Sequence, residues 1–156
     1  MSLRILVVHG ANLALLGRRE PEVYGTVTLE EIRTAVETRA RARGARVTWM
    51  SSNHEGEIVD ALGGAIGQTE GVLINPGGFT HTSVAIRDAL LALSVPTIEV
   101  HLSNVFAREE FRRKSMISDV VLGVVSGLGA NGTVLALDAL VDHLEGKTFG
   151  IRGGED

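Results

Sequence analysis

The sequence predicts a single α/β domain whose five parallel strands form an open sheet wound on both faces by helices. Two patterns carry that expectation. Short, nearly continuous apolar runs recur at Ile5–Val8, Val47–Met50, Val72–Ile74, Thr97–Leu102 and Val120–Val125, as strands do when helices cover both faces of their sheet. The segments between them have helical periodicity. Alternation of the two types along almost the whole chain gives a doubly wound sheet of flavodoxin type with right-handed crossovers.

The opening MSLRILVVHG holds one arginine and a short apolar run. That run is far below the ~18 residues that span a bilayer and has no small-residue cleavage site after it, so it reads as the first strand. A long loop follows from Gly10 to Thr26, with Arg18, Arg19 and the only tyrosine, Tyr24. Connections longer than ~12 residues in compact domains are lids, binding loops or disordered. From Thr28 the apolar residues Leu29, Ile32, Val36 and Ala40 share one helical face, Thr28-Leu-Glu-Glu31 is a capping box, and the helix ends near Gly44. A second helix follows Ser52-Asn-His-Glu55. A third begins at Ser83, with Ala85, Ile86, Ala89, Leu90 and Leu93 toward the core and Arg87 and Asp88 on the outer face beside Val84 and Leu91. That mixed outer face fits either a subunit contact or a solvated ion pair. Arg108 to Ser115 is charged and reads as a short helix. The last helix runs from about Gly132 to Leu144, with Asp138, Asp142 and Glu145 along its solvent stripe. The expected domain spans residues 1–146, and residues 147–156, rich in glycine and charge, read as a disordered tail.

Composition narrows the function. With 156 residues and 44% hydrophobic content the chain fills one core. A formal charge of −4 and a pI near 5.7 exclude the basic surface that nucleic acid or an acidic membrane requires. No cysteine is present, which removes disulfides, thiolate catalysis and cysteine-ligated zinc and suits a reducing compartment, with the cytoplasm as the default. Gly127-Leu-Gly-Ala-Asn-Gly132 spells a dinucleotide fingerprint, but no second strand bearing an acid follows its helix, so a tight turn is the better reading. Asn131-Gly-Thr133 matches a glycosylation sequon by chance, since no secretion signal precedes it.

In such sheets the ligand crevice lies beyond the carboxyl ends of the strands. What arrives there is polar: His9-Gly-Ala-Asn12 after strand one, Asn75-Pro-Gly-Gly-Phe-Thr-His81-Thr-Ser83 after strand three, and Glu99-Val-His101-Leu-Ser103-Asn104 on strand four. Glu99 and His101 project to the same face. A buried structural pair, an acid–base pair and a Glu–His metal site all fit that spacing, and the position at the crevice favours acid–base work. Tyr24 is either an inert loop tyrosine or a base. An ordinary phenol with pKa ~10 is about 0.1% ionised at pH 7, and an arginine that brings it to about 8 raises the fraction to roughly 10%.

Taken together, these residues resemble the type II 3-dehydroquinate dehydratases (type II dehydroquinases) from about Ile5 to Leu144. The resemblance rests on Asn12-Leu, Leu16-Gly-Arg-Arg-Glu-Pro21 leading to Tyr24-Gly, Ser52-Asn-His-Glu-Gly-Glu57, and Asn75-Pro-Gly-Gly with Thr80-His-Thr-Ser-Val-Ala-Ile-Arg-Asp88. Ile98-Glu-Val-His-Leu-Ser-Asn104 and Ala107-Arg-Glu-Glu-Phe-Arg112 complete it. It implies a cofactor-free and metal-free hydro-lyase, assembled as a dodecamer of trimers, that converts 3-dehydroquinate to 3-dehydroshikimate in the shikimate pathway of aromatic amino acid biosynthesis. By the same resemblance Tyr24 is the base and Arg19 the cation that activates it. Asn12 positions the group that stabilises the enolate, and His101 is the general acid with Glu99 behind it. Asn75 and His81 bind substrate hydroxyls, Leu102 and Ser103 the carboxylate and Arg112 a further hydroxyl, while Asp88 reaches a neighbouring subunit's site.

Four positions depart from the pattern. His9 and Ala11 stand where the family's first loop has asparagine and proline, Phe106 where it commonly has histidine, and Thr133 where an aromatic is common. His9, Ala11 and Phe106 motivate one rival, a non-catalytic binding paralogue that keeps the pocket. The glycine motif motivates another, a nucleotide- or flavin-binding protein.

Overall fold

The computed structural model describes residues 2–147. Five strands, β1 (Leu3–His9), β2 (Ala45–Ser51), β3 (Gly71–Asn75), β4 (Thr97–His101) and β5 (Gly123–Ser126), form one parallel sheet in the order β2-β1-β3-β4-β5. The helices are α1 (Pro21–Tyr24, a single turn), α2 (Leu29–Ala42), α3 (Glu55–Gly64), α4 (Val84–Leu93) and α5 (Ala130–Leu144). Strand side chains alternate between faces. Ile5, Val7, Leu73, Ile98 and Val100 pack against α2 and α5, whereas Leu6, Val8, Val72 and Ile74 pack against α3 and α4. The doubly wound expectation therefore holds, with one core on each side of the sheet.

Local chemistry sets the helix starts. Thr28 Oγ1 accepts from Glu31 N at 3.2 Å while Thr28 N donates to Glu31 Oε2 at 2.9 Å, the reciprocal capping box read from sequence. Ser83 caps α4 by accepting from Ile86 N at 3.0 Å.

Several expectations are corrected. The fifth apolar run does not enter the sheet at Val120. Ser115 Oγ accepts the amides of Ile117 and Ser118, and Val120 N bonds Ile117 O, so the chain turns there. Val120 and Val121 instead pack on the α3/α4 side of the core. The short helix expected between Arg108 and Ser115 is present as a single 3₁₀ turn, Glu110–Arg113. The last helix begins two residues before Gly132. Ala85 is exposed rather than core-facing. Asp138 and Asp142 are not a free solvent stripe: Asp138 takes Arg39 and Arg43 of α2 at 2.9 and 2.7 Å, and Asp142 takes Arg43 at 2.5 Å. These pairs join α5 to α2 across the top of one core. Edge position leaves β2 and β5 half-exposed, unlike the fully buried β3 and β4. The tail expected to be disordered lies, from residue 148 onward, outside the described residues.

The chain reverses its winding between β1 and β3, and the two loops leaving those strands touch there. Gly10 N donates to Asn75 O at 2.8 Å and Ala11 N to Pro76 O at 3.3 Å. A Cβ on Gly10 would fall 2.2 Å from Pro76 O, and one on Gly77, at φ +64°, 2.4 Å from Ala11 O. Only glycine fits either position. This crossing forms the floor of the crevice. Gly127-Leu-Gly-Ala-Asn-Gly132 is likewise a packing turn: Gly127 N bonds His101 O and Gly129 N bonds Leu102 O, tying β5 to the end of β4.

Candidate active site

Beyond the carboxyl ends of β1, β3 and β4 lies a cavity of about 140 Å³, where a sheet of this order places its ligands. Nine of the residues singled out in the sequence border it: Asn12, Arg19, Tyr24, Asn75, His81, His101, Leu102, Ser103 and Arg112. Glu99 lies directly behind His101. Asp88 does not border the cavity; it is exposed on α4.

The β4 wall is built around a buried carboxylate. Glu99 is wholly buried, and its Oε1 accepts from His101 Nε2 at 2.7 Å, Thr80 Oγ1 at 3.0 Å and Ser115 Oγ at 2.8 Å. Ser118 Oγ makes a short hydrogen bond to Oε2. Burial pushes the Glu99 pKa up, but the hydrogen bonds from His101 and Ser118, the charge of His101 and the Ser115 hydroxyl together outweigh it and hold it below the ordinary carboxylate value. Of the three readings open for this pair, the metal site fits least, because a cation would have to displace donors that already occupy the carboxylate. Pairing through Nε2 leaves His101 Nδ1 as the free ring nitrogen.

Further polar groups that line the cavity are fixed by its loops. Asn75 is buried at the end of β3 with its Oδ1 accepting from Gly77 N at 3.1 Å. His81 Nδ1 lies 2.7 Å from Lys114 O. Arg112 Nε is held by Glu109 at 2.6 Å. Asn12 takes the left-handed conformation at φ 66°, which asparagine tolerates better than most residues, and its amide donates to Asn53 Oδ1 at 2.8 Å.

On the β1 side, α1 carries Tyr24 over the cavity. Its oxygen accepts from Arg108 Nη1 at 2.8 Å and from Arg19 Nη2 at 3.4 Å, and both guanidiniums also lie over its ring, 5.1 and 4.5 Å from the centroid. Arg19 thus stands where the sequence places it, but Arg108 makes the shorter bond and also reaches Ser103 Oγ at 3.1 Å. Sequence reasoning missed Arg108. It sits inside Ala107-Arg-Glu-Glu-Phe-Arg112 among other charges, and its one distinguishing signal is its position five residues after Ser103. Thr80, Ser115 and Ser118 were missed as well, because hydroxyls in turns ordinarily read as caps.

The departures from the family pattern also have places. His9 is buried, stacked on Trp49 with ring centroids 4.7 Å apart, and its Nδ1 has no hydrogen-bond partner. Burial pushes its pKa down to about 4. Thr133 is buried in α5 with its hydroxyl unpartnered, and Phe106 is exposed. Arg87 pairs with Asp119 rather than Asp88 and also donates to Met116 O at 2.9 Å.

Comparison with known proteins agrees with this geometry. Residues 3–141 match the family described as dehydroquinase class II. The chain is 55% identical over 141 residues to a 3-dehydroquinate dehydratase of Pseudomonas savastanoi pv. phaseolicola, covering 90% of this chain and 94% of that protein. It is 53% identical over 144 residues to one from Nostoc sp., covering 92% and 98%. The crystal structure of a type II dehydroquinase from Butyrivibrio crossotus superposes with a TM-score of 0.87 at 42% identity, covering 89% of this chain and 97% of that one. With the sheet order, the cavity at its switch point and the matched length in agreement, the chain belongs to the class II dehydroquinase family.

Proposed function

We propose that this chain is a 3-dehydroquinate dehydratase that eliminates water from 3-dehydroquinate to give 3-dehydroshikimate through an enolate, with Tyr24 as base. The observation that carries the reading is the Tyr24 oxygen held between Arg108 and Arg19 in the same cavity as the His101–Glu99 pair. Two cations on one phenol oxygen supply the charge that a phenolate needs, and arginine keeps its charge when partly desolvated. Tyr24 takes the proton from the carbon beside the ketone, and the electron pair moves onto the ketone oxygen. Asn12 positions the donor that stabilises this oxygen, where charge develops in the transition state. The enolate then collapses and expels the hydroxyl, which leaves as water with a proton from His101.

Asn75 and His81 bind substrate hydroxyls, Arg112 binds a further one, and the Leu102 and Ser103 amides with the Ser103 hydroxyl take the carboxylate. Asp88, exposed on α4 beside Val84 and Leu91, reaches a neighbouring subunit's site in a dodecamer of trimers. The enzyme works in the cytoplasm; among the described residues no helix is long and apolar enough to cross a membrane.

The test is absorbance at the enone band of 3-dehydroshikimate after 3-dehydroquinate is added to purified, chelator-treated protein. The expected result is a rising signal that persists with chelator. A flat trace from folded protein overturns the dehydratase reading and favours a binding paralogue.

A further inference from the structure

We infer that Ser118, Ser115 and Thr80 are positioning residues for this elimination: their hydroxyls hold Glu99 as a carboxylate, and Glu99 keeps a proton on His101 Nε2, so that Nδ1 is the nitrogen that exchanges protons with substrate. The inference rests on the dehydratase reading and extends it to residues that do not themselves touch the cavity.

The donor accounting comes first. Glu99 is faced by four donors and has no exposure to water. Ser115 Oγ already accepts two backbone amides, from Ile117 and Ser118, each at 3.1 Å. A hydroxyl has one proton, and with its oxygen so occupied that proton goes to Glu99 at 2.8 Å. Thr80 and Ser118 add one hydroxyl to each carboxylate oxygen. A neutral Glu99 would place a further proton among four donors, whereas an ionised one accepts from all of them. An ionised Glu99 can only accept, so the hydrogen between it and His101 belongs to Nε2.

The cage is assembled from a distance. Ser115 and Ser118 lie on an irregular strap between Arg113 and β5, and four contacts hold that strap to the rest of the fold. Lys114 O meets His81 Nδ1 at 2.7 Å, Met116 N donates to Thr80 O at 2.8 Å, and Arg87 binds both Met116 O and Asp119. The strap thus brings two hydroxyls to a carboxylate that His101 on β4 and Thr80 after β3 would leave half-satisfied. A buried charge left short of donors is strongly disfavoured, so the turn that keeps Val120 out of the sheet also serves His101.

The test combines steady-state kinetics with ¹⁵N resonances of the His101 ring in labelled protein. In wild type Nε2 is expected to keep its proton in both forms of the ring: the acid form, which also carries the Nδ1 proton given to the leaving hydroxyl, and the neutral form left behind, which shows the pattern of a single Nε2–H tautomer. In Ser118→Ala and in Thr80→Val, kcat falls about tenfold per lost hydroxyl, the worth of one hydrogen bond to a charge, with KM within about threefold. The His101 resonances move to a mixture of tautomers, and Ser118→Thr restores both readouts. If Ser118→Ala fails to fold, Thr80→Val alone decides. An unchanged kcat, or a lowered kcat with an unchanged His101 pattern, overturns the inference. Absence of turnover in wild type would overturn the dehydratase reading instead, and the ring resonances would still report on the cage.

Discussion

His9 and Glu99 are both buried titratable side chains near the cavity, one at the end of β1 and one on β4, and they meet burial in opposite ways. Glu99 keeps its charge because four donors replace the water it lost. His9 has a stacked indole, an unpartnered Nδ1 and no charged neighbour to compensate it, so it gives its charge up. The contrast extends to the walls they belong to. On the β4 side Glu99 is tied to three hydroxyls and to His101, and the Asn75 and His81 side chains are tied to loop backbone. On the β1 side a single helical turn carries Tyr24, whose oxygen is held by Arg19 from its own loop and Arg108 from the other wall. The proposed acid, fixed by its donors, thus faces a proposed base carried on a single helical turn.

Removing the base breaks this comparison most severely. Tyr24→Phe should lower kcat about 10³-fold, within the range that acid–base groups contribute, while substrate affinity stays within a few-fold. Turnover with 3-dehydroquinate checks the rate and calorimetry the affinity; retained rate would remove Tyr24 as base.

The next effect is on stability and sharpens the His9 side. Its pKa falls from 6.5 unfolded to about 4 folded, so between those values the unfolded chain binds the proton and the native one does not. Stability therefore rises with pH across that window, is complete above about 6.5 and is lost as pH falls toward 4. About 2 kcal/mol should disappear between pH 7 and pH 5. Urea unfolding of wild type and His9→Asn at both pH values checks it: the variant should lose that much less, and equal losses would rule the account out.

The smallest effect concerns the bridge between the walls. Arg108→Lys keeps the charge but loses the planar group that lies over the Tyr24 ring while reaching both Tyr24 and Ser103. A drop of about tenfold in kcat is expected, and an unchanged kcat would show that charge alone suffices at this position.

The fold was legible in the sequence because strands and helices have different periods and the apolar residues obey them almost throughout. Ile32, Val36 and Ala40 face the core as their spacing requires, and Thr28 caps as its motif predicts. Legibility failed where side chains redirect the backbone. Val120 to Val125 has the composition of a strand, but the Ser115 hydroxyl captures two amides and delays it. Asn12, Asn75, His101, Leu102 and Ser103 were legible because they sit at or just past strand ends, where topology alone delivers them, whereas Arg19, Tyr24, His81 and Arg112 lie in connecting segments and were marked by the family resemblance. Arg108 was not, since its partner Tyr24 is 84 positions earlier and the segment that follows it, Glu109-Glu-Phe-Arg112, is rich in charge. Asp138 and Asp142 misled for a related reason: a stripe of acids reads as solvated until the helix that carries their arginines is placed beside it.

The crossing of Gly10 and Gly77 is a joint made of main chain alone. Its hydrogen bonds run from amide to carbonyl, and its closeness depends only on two missing side chains. Such a joint is indifferent to the identity of the residues on either side of it. His9 and Ala11 flank Gly10 directly and neither side chain makes these hydrogen bonds, so the two departures from the family pattern leave the joint itself intact. The scaffold sets a strict steric demand beside a looser one: libraries that vary the half-buried residue 11 while holding Gly10 and Gly77 should keep their fold, whereas residue 9 is confined to side chains that fit the buried space beside Trp49.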